Sequence, residues 1–261
     1  MPDPPGLVTP IVLEFPRLHA GLEGLRILHV SDLHVRGERR RLGAILDAIS
    51  RHEHDLMVVT GDSMVRPGDE RAAAEYLSRL VGASRGRLGA VGVWGNHDTH
   101  ELRDRAASAG VRWLRNSAWL PMGLPLTVLG VDCAHHEMRG FSGDLVAAML
   151  HEAEQAPDDT RRFRLLLAHL PSWLPPAAAC GVDLMLCGHT HGGQCRLPTG
   201  HALVNATPDW PLRYTSGTVE MGATRCHISP GLGETYVTGL RLFCKPAMPL
   251  ITLRSRGAGA A

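Results

Sequence analysis

The sequence has almost no lysine. Lys245 is the only one among 27 lysines and arginines, which face 26 carboxylates and leave a formal net charge of +1. The dominance of arginine reads as a compositional bias and carries no function. The charge balance does carry one, because it leaves no global basic field of the kind that gathers nucleic acid or an anionic membrane. No stable nucleic-acid complex is expected. Paired cysteines are missing too. Cys133, Cys180, Cys187, Cys195, Cys226 and Cys244 stand singly, none in a C-x-x-C spacing, in a chain too long for a small disulfide scaffold. Free thiols in a reducing compartment are the expectation, and the spacings disfavour a cysteine zinc site.

Residues 1–20 have three early prolines, no basic start and no apolar core segment, so they do not read as a signal peptide. A cytoplasmic location is the expectation. The longest apolar stretch, Leu165–Cys187, is interrupted by His169, Pro171, Pro175, Pro176 and Asp183. A membrane helix there would have to bury ionisable groups and three prolines. Two buried strands around a short connector fit better. Internal repeats and low-complexity linkers are absent apart from the tail.

What is present suits a globular enzyme. The chain has 261 residues, 44% hydrophobic and 20% charged, enough for one large domain or two small ones with a sizeable core. Leu25–Ser31 is a β-type run ending at Asp32-Leu33-His34, followed by helical spacing over Glu38–Arg51. Asp55–Thr60 is a second strand ending at Gly61-Asp62, followed by a helix over Asp69–Val81. Val91–Trp94 is a third, ending at Gly95-Asn96-His97-Asp98, with a helix over Glu101–Ala109 stopped by Gly110. The second half is richer in strand: Leu126–Val131, Phe163–Ala168, Val182–Cys187, Arg213–Val219, Thr224–Ile228 and Leu250–Leu253, with a helix over Ser142–Gln155. Short apolar strands alternating with amphipathic helices imply sheets covered by helices, with ligands gathered at the carboxyl ends of the strands. The fold class expected is α/β, a four-layer α/β/β/α sandwich of two facing mixed sheets. Residues 1–24 read as an N-terminal extension packed as an edge strand, 25–254 as the catalytic domain and 255–261 as a frayed tail.

Nine polar residues fall at those strand ends: Asp32, His34, Asp62, Asn96, His97, Asp98, His169, His189 and His191. The last two sit in Gly188-His189-Thr190-His191-Gly192-Gly193, a tight loop that offers two imidazoles to one point. Carboxylate, amide oxygen and imidazole without thiolate suit Mn, Fe, Zn or Co. There are more donors than one tetrahedral ion needs, and a pair of ions about 3.5–4 Å apart would use them all. A bridging ligand must be a carboxylate, since only that group offers two oxygens to two cations. His29, inside a strand, reads as a packed histidine. Arg36 reads as a surface arginine with contact to a substrate phosphate as the alternative, and His135-His136 as part of an exposed loop.

Asp32-Leu33-His34, Gly61-Asp62, Gly95-Asn96-His97-Asp98, His169-Leu170-Pro171 and Gly188-His189-Thr190-His191 together resemble the five-block signature of the calcineurin-like metallophosphoesterases. The likeness spans about residues 25–253. It is finest to the YkuE/YaeI-like bacterial phosphodiesterase branch, through Gly24-Leu25-Arg26, Gly188–Gln194 and Ser229–Gly233. That branch usually carries a membrane-anchoring or export segment ahead of its catalytic domain, which is not read here, so contact with a membrane is expected to be peripheral if it occurs. The resemblance implies a dinuclear phosphohydrolase, a phosphodiesterase acting on a phosphate-ester substrate through a metal-bridging hydroxide. It implies that Asp32, His34 and His191 hold one metal, that Asn96, His169 and His189 hold the other, and that Asp62 bridges. His97 would stabilise charge on, or protonate, the leaving oxygen, and Asp98 would orient that imidazole. Two other readings keep the same fold. One is a lipid- or nucleotide-linked pyrophosphate substrate of the UDP-diacylglucosamine type, with an acyl groove in Trp113–Leu129 or Pro171–Ala179. The other is a non-catalytic scaffold, which the complete ligand set disfavours.

Overall fold

The structure, a computed structural model, describes residues 6–36, 40–133, 141–153, 161–205, 207, 209–234 and 239–257. His135, His136 and the end of the tail lie outside them. Two six-stranded mixed sheets face each other. The first contains β1 (Val8–Phe15), β2 (Arg26–Val30), β3 (Leu56–Thr60), β4 (Ala90–Val93), β5 (Val111–Trp113) and β12 (Met248–Ser255), in the order β1-β12-β2-β3-β4-β5. The second contains β6 (Ser117–Trp119), β7 (Leu126–Gly130), β8 (Phe163–Leu167), β9 (Leu184–Cys187), β10 (Gly217–Met221) and β11 (Thr224–Ile228), in the order β10-β11-β9-β8-β7-β6. Strands β2 to β5 run parallel, as do β7, β8, β9 and β11.

The side-chain period of two divides each central strand between two cores. Leu56 and Val58 of β3 join Leu165, Leu167, Leu184 and Leu186 in the layer between the sheets. Met57 and Val59 face outward, against α1 (Arg40–Arg51), α2 (Glu70–Ala83) and α3 (His100–Arg105), through Ile45, Ile49, Leu77, Leu80 and Leu102. On the far side Leu166 and Met185 pack against α4 (Gly143–Ala153) and α5 (Leu174–Ala179) through Val146, Met149, Leu174 and Ala177. Four layers result. Strands buried on both faces explain the unbroken apolar runs in the sequence.

Several boundaries differ from the sequence reading. The third helix starts at His100, where Thr99 caps it by accepting from the Leu102 amide at 3.2 Å, and ends at Arg105 rather than Ala109, where the Trp113 indole donates to the Ala106 carbonyl at 3.2 Å. The chain then turns into β5, which was not anticipated. Trp113 stacks on Trp94 with ring centroids 3.5 Å apart, and Leu174 and Ala177 are buried, so core packing takes these residues of the two segments suggested as an acyl groove, whereas Ser172 and Pro175 line a cavity of about 540 Å³. Part of the expected strand Arg213–Val219 is a 3-10 turn over Leu212–Tyr214, closed by the Trp210 indole donating to the Tyr214 carbonyl at 2.7 Å. Strand β12 runs longer than Leu250–Leu253 because it pairs on both sides, parallel with β1 and antiparallel with β2.

Candidate metal centre

All the motif residues stand where parallel strands end. Asp32 and His34 follow β2, Asp62 follows β3, Asn96 and His97 follow β4, His169 follows β8, and His189 and His191 follow β9. The two sheets meet at this edge, so loops from both converge. Asp32, His34, Asp62 and His191 bring ligand atoms within 4.8 Å of one another, and so do Asp62, His169 and His189. Asp62 belongs to both groups.

The backbone is bent to achieve this. Of the eight non-glycine residues with positive φ among those described, five are Asp32, His34, Asp62, His189 and His191, at φ 43–67°. Left-handed backbone is costly away from glycine, and its concentration here marks a site held in place by its surroundings. Two glycines allow the approach. A Cβ on Gly95 would strike the Asp62 carboxylate, and one on Gly188 would strike Ser31 Oγ and Asp32 Oδ2.

Asp32 is fixed by a chain of hydroxyls. Ser31 Oγ donates to Asp32 Oδ2 at 2.6 Å, Thr60 Oγ1 donates to Ser31 Oγ at 2.8 Å, and His29 Nε2 lies 2.8 Å from Thr60 Oγ1. Because each hydroxyl spends its proton toward the carboxylate, His29 is left to donate from Nε2. The other face of Asp32 accepts the His189 amide at 3.0 Å. His169 Nδ1 donates to the Thr60 carbonyl at 2.7 Å, which turns its Nε2 to Asp62 Oδ2 at 3.2 Å. A backbone carbonyl that fixes the tautomer in this way is the usual support of a ligating imidazole.

Charge in the site is strongly biased. Burial pushes the Asp62 carboxyl up, but His169, His34 and His97 pull it further down, leaving it well below the usual carboxylate range. Burial raises Asp32 to about 6, with His169 opposing. Burial would depress His169, yet Asp62 lifts it to about 10. Burial lowers His34 to about 4 and holds His191 well below its ordinary value. The field around Asp62 therefore calls for positive charge beside it. Pairs of imidazole nitrogens meet there, His34 Nε2 to His191 Nε2 at 3.0 Å and His189 Nδ1 to His169 Nε2 at 3.2 Å. Buried lone pairs converging on shared carboxylates fit a pair of cations, and a nitrogen/oxygen set does not select among Mn, Fe, Zn and Co.

The structure departs from expectation at Asp98. Its carboxylate does not touch the His97 imidazole. It accepts the backbone amides of Ser63 at 2.7 Å, Gly95 at 2.8 Å and Asp62 at 2.9 Å, tying the loop after β3 to the loop after β4. His97 instead donates from Nδ1 to the Val65 carbonyl at 2.8 Å, and its amide donates to Asp62 Oδ1 at 2.9 Å. Its ring stands edge-on to His34, with centroids 5.1 Å apart. Asn96 is half-buried between these anchors. Arg36 is half-buried as well and lines a cavity of about 180 Å³ with His34 and Glu234.

The sequence reading missed Ser31, Thr60, Arg241 and Cys244. The first two directly precede motif residues at strand ends, which is the signal that could have found them. Arg241 donates to the carbonyls of Pro230, at 2.8 Å, and Gly233, and Cys244 Sγ donates to the His191 carbonyl at 3.4 Å. No local pattern announces either.

The profile of the calcineurin-like phosphoesterases matches residues 25–193, and the chain belongs to that family. It is a metallophosphoesterase, a hydrolase acting on phosphoric ester bonds. It is similar to metallophosphoesterase YkuE of Bacillus subtilis, with 28% identity spanning 90% of this chain and 81% of the relative. Similarity to phosphodiesterase YaeI of Escherichia coli reaches 31% identity over 87% of this chain and 82% of the relative. In fold alone it resembles TT1561 of Thermus thermophilus, at TM-score 0.54 and 15% identity over 80% of this chain and 90% of that one. A dimetal phosphatase of Danio rerio is alike at TM-score 0.50 and 12% identity, over 80% and 88% of the two chains.

Proposed function

We propose that this chain is a dinuclear-metal phosphodiesterase in which Asp32, His34 and His191 would hold one ion, Asn96, His169 and His189 would hold the other, and Asp62 would serve both. The observation that carries this reading is the membership of Asp62 in both donor groups. Two bound divalent ions supply Lewis-acid polarisation of a phosphoryl oxygen and a water acidic enough to attack phosphorus near neutral pH. The chain's own residues do the rest. Asp62 and Asp32 supply the negative charge, His169 is held by the Thr60 carbonyl and His189 through its amide on the Asp32 carboxylate, and Asn96 adds a neutral oxygen. His97, with Nδ1 committed to Val65, keeps Nε2 to stabilise or protonate the leaving oxygen. Asp98 acts by fixing the two loops and not as a proton carrier.

The test is hydrolysis of bis-p-nitrophenyl phosphate and p-nitrophenyl phosphate by metal-free protein reloaded with Mn²⁺. The diester is expected to turn over, with a drop of about a hundredfold or more in Asp62→Asn. Absence of turnover, or equal rates in the two proteins, would sink the reading. The same chemistry on a lipid-linked pyrophosphate is a second reading, favoured by the exposed Leu242 and Phe243 beside Cys244, whose thiol donates to the His191 carbonyl. Product analysis with UDP-diacylglucosamine decides between the two.

A further inference from the structure

Ten large hydrophobic residues stand exposed among those described, and six of them fall in two short loops: Leu197, Leu203 and Val204 in residues 194–204, and Leu240, Leu242 and Phe243 in residues 239–245. The loops are joined to each other. The Leu242 amide donates to the Gln194 carbonyl at 3.0 Å and the Arg196 amide donates to the Leu242 carbonyl at 2.9 Å, while the Leu203 amide closes the first loop on the Cys195 carbonyl at 2.9 Å. They are also joined to the metal-site loop, since Gln194 follows His191 by three residues and Cys244 Sγ donates to the His191 carbonyl. A cluster of exposed apolar side chains rarely survives on a soluble protein without a partner.

Phe243 sharpens the point. It is 61% exposed and holds φ at 51°. A bulky aromatic in left-handed backbone, pointed at water, costs stability twice over. The charge of the loops is equally one-sided. Residues 194–204 and 239–245 contain Arg196, Arg241 and Lys245 and no carboxylate, in a chain whose charges otherwise nearly cancel. Lys245, the sole lysine, is exposed directly after the apolar tip, and exposed Arg213 lines a cavity of about 550 Å³ together with Leu212, Ala202 and His201.

We propose that these two loops dock the protein on an anionic phospholipid bilayer, with Phe243, Leu242 and Leu240 entering the headgroup region and Lys245 and Arg213 meeting lipid phosphates. Apolar tips flanked by cations with no acid among them suit that surface, since burial and attraction to anionic lipid add together. A second copy of the chain would set cation against cation. Docking would bring the metal centre to a phosphoester held in the membrane. That consequence rests on the hydrolase reading; the docking itself does not.

Co-sedimentation with vesicles of phosphatidylglycerol and phosphatidylcholine, against vesicles of phosphatidylcholine alone, tests it. Binding is expected to the mixed vesicles and to weaken with salt. Phe243→Asn, chosen because Asn suits positive φ, should lower the partition coefficient about tenfold. Lys245→Gln should lower it about fivefold. Both variants should melt at or above the wild-type temperature and hydrolyse bis-p-nitrophenyl phosphate at the wild-type rate. Metal-free protein and Asp62→Asn should bind as wild type does, so a failure of the hydrolase reading leaves this result standing. Binding indifferent to anionic lipid, or unchanged in both variants, would overturn the proposal. So would absence of vesicle binding beside a dimer in sedimentation velocity that Phe243→Asn dissociates.

Discussion

Thr60 joins three side chains around the centre, His29, Ser31 and His169. Its hydroxyl passes a proton toward Ser31 and accepts from His29, and its carbonyl holds His169. Thr60→Val keeps the shape and the carbonyl but removes the hydroxyl, leaving His29 Nε2–H buried without an acceptor. The expected cost is about 1–3 kcal/mol by chemical denaturation, with Mn²⁺ affinity about tenfold weaker. Thr60→Ser should restore both; equal affinity in the valine and serine variants would show that the chain of hydroxyls does not reach Asp32. Asp98 makes a similar case. Its carboxylate accepts three amides, and an asparagine has one oxygen to offer and would set its NH₂ against an N–H. Asp98→Asn should lose about 2 kcal/mol or more in denaturation. The side chains that form the centre were legible in the sequence because each stands in a short polar motif at a strand end. The partners of Asp98 were not. A contact between positions 62 and 98 depends on how two strands lie side by side, and local spacing carries no record of it.

At the scale of elements, the site is made by five parallel strands that stop together. Strands β2, β3, β4, β8 and β9 stand out as short, mostly apolar runs because both of their faces are covered. Strands β5 and β6 have three residues each, too few for a periodicity to mark them. The third helix is shorter than its sequence pattern suggests for a related reason: its end is set by an indole that arrives from β5. The close packing of strand ends gives a direct prediction. Gly95→Ala would drive a methyl group into the Asp62 carboxylate and displace the one ligand shared by both groups. Mn²⁺ affinity, measured by calorimetry, should fall about tenfold or more, whereas Gly82→Ala, in α2 with open space at its Cβ, should leave it unchanged.

For the whole molecule, two buried histidines that belong to neither donor group set an acid limit on stability. Burial holds His29 at about 3, with His227 opposing its charge further, and burial holds His227 at about 4. Both values lie below the unfolded value of 6.5. The unfolded chain therefore takes up these protons first as pH falls. Their stabilising effect is complete above pH 6.5 and is lost progressively as pH drops toward 4 and then 3, at about 1.4 kcal/mol per pH unit for each group. Denaturation midpoints measured from neutral to mildly acidic pH should fall, and His29→Gln, which keeps a donor for Thr60, should flatten the slope. An identical slope in wild type and variant would contradict this account. No helix among the described residues is long and apolar enough to cross a membrane.

The central claim is that one carboxylate serves two cations. Metal-free protein titrated with Mn²⁺ and followed by calorimetry, with bound metal counted by mass spectrometry, measures this most directly. Two ions per chain are expected in the wild type, and Asp62→Asn should lose both together or retain at most one weakly. Two ions bound by Asp62→Asn at wild-type affinity, or a single ion in the wild type at saturation, would contradict the account.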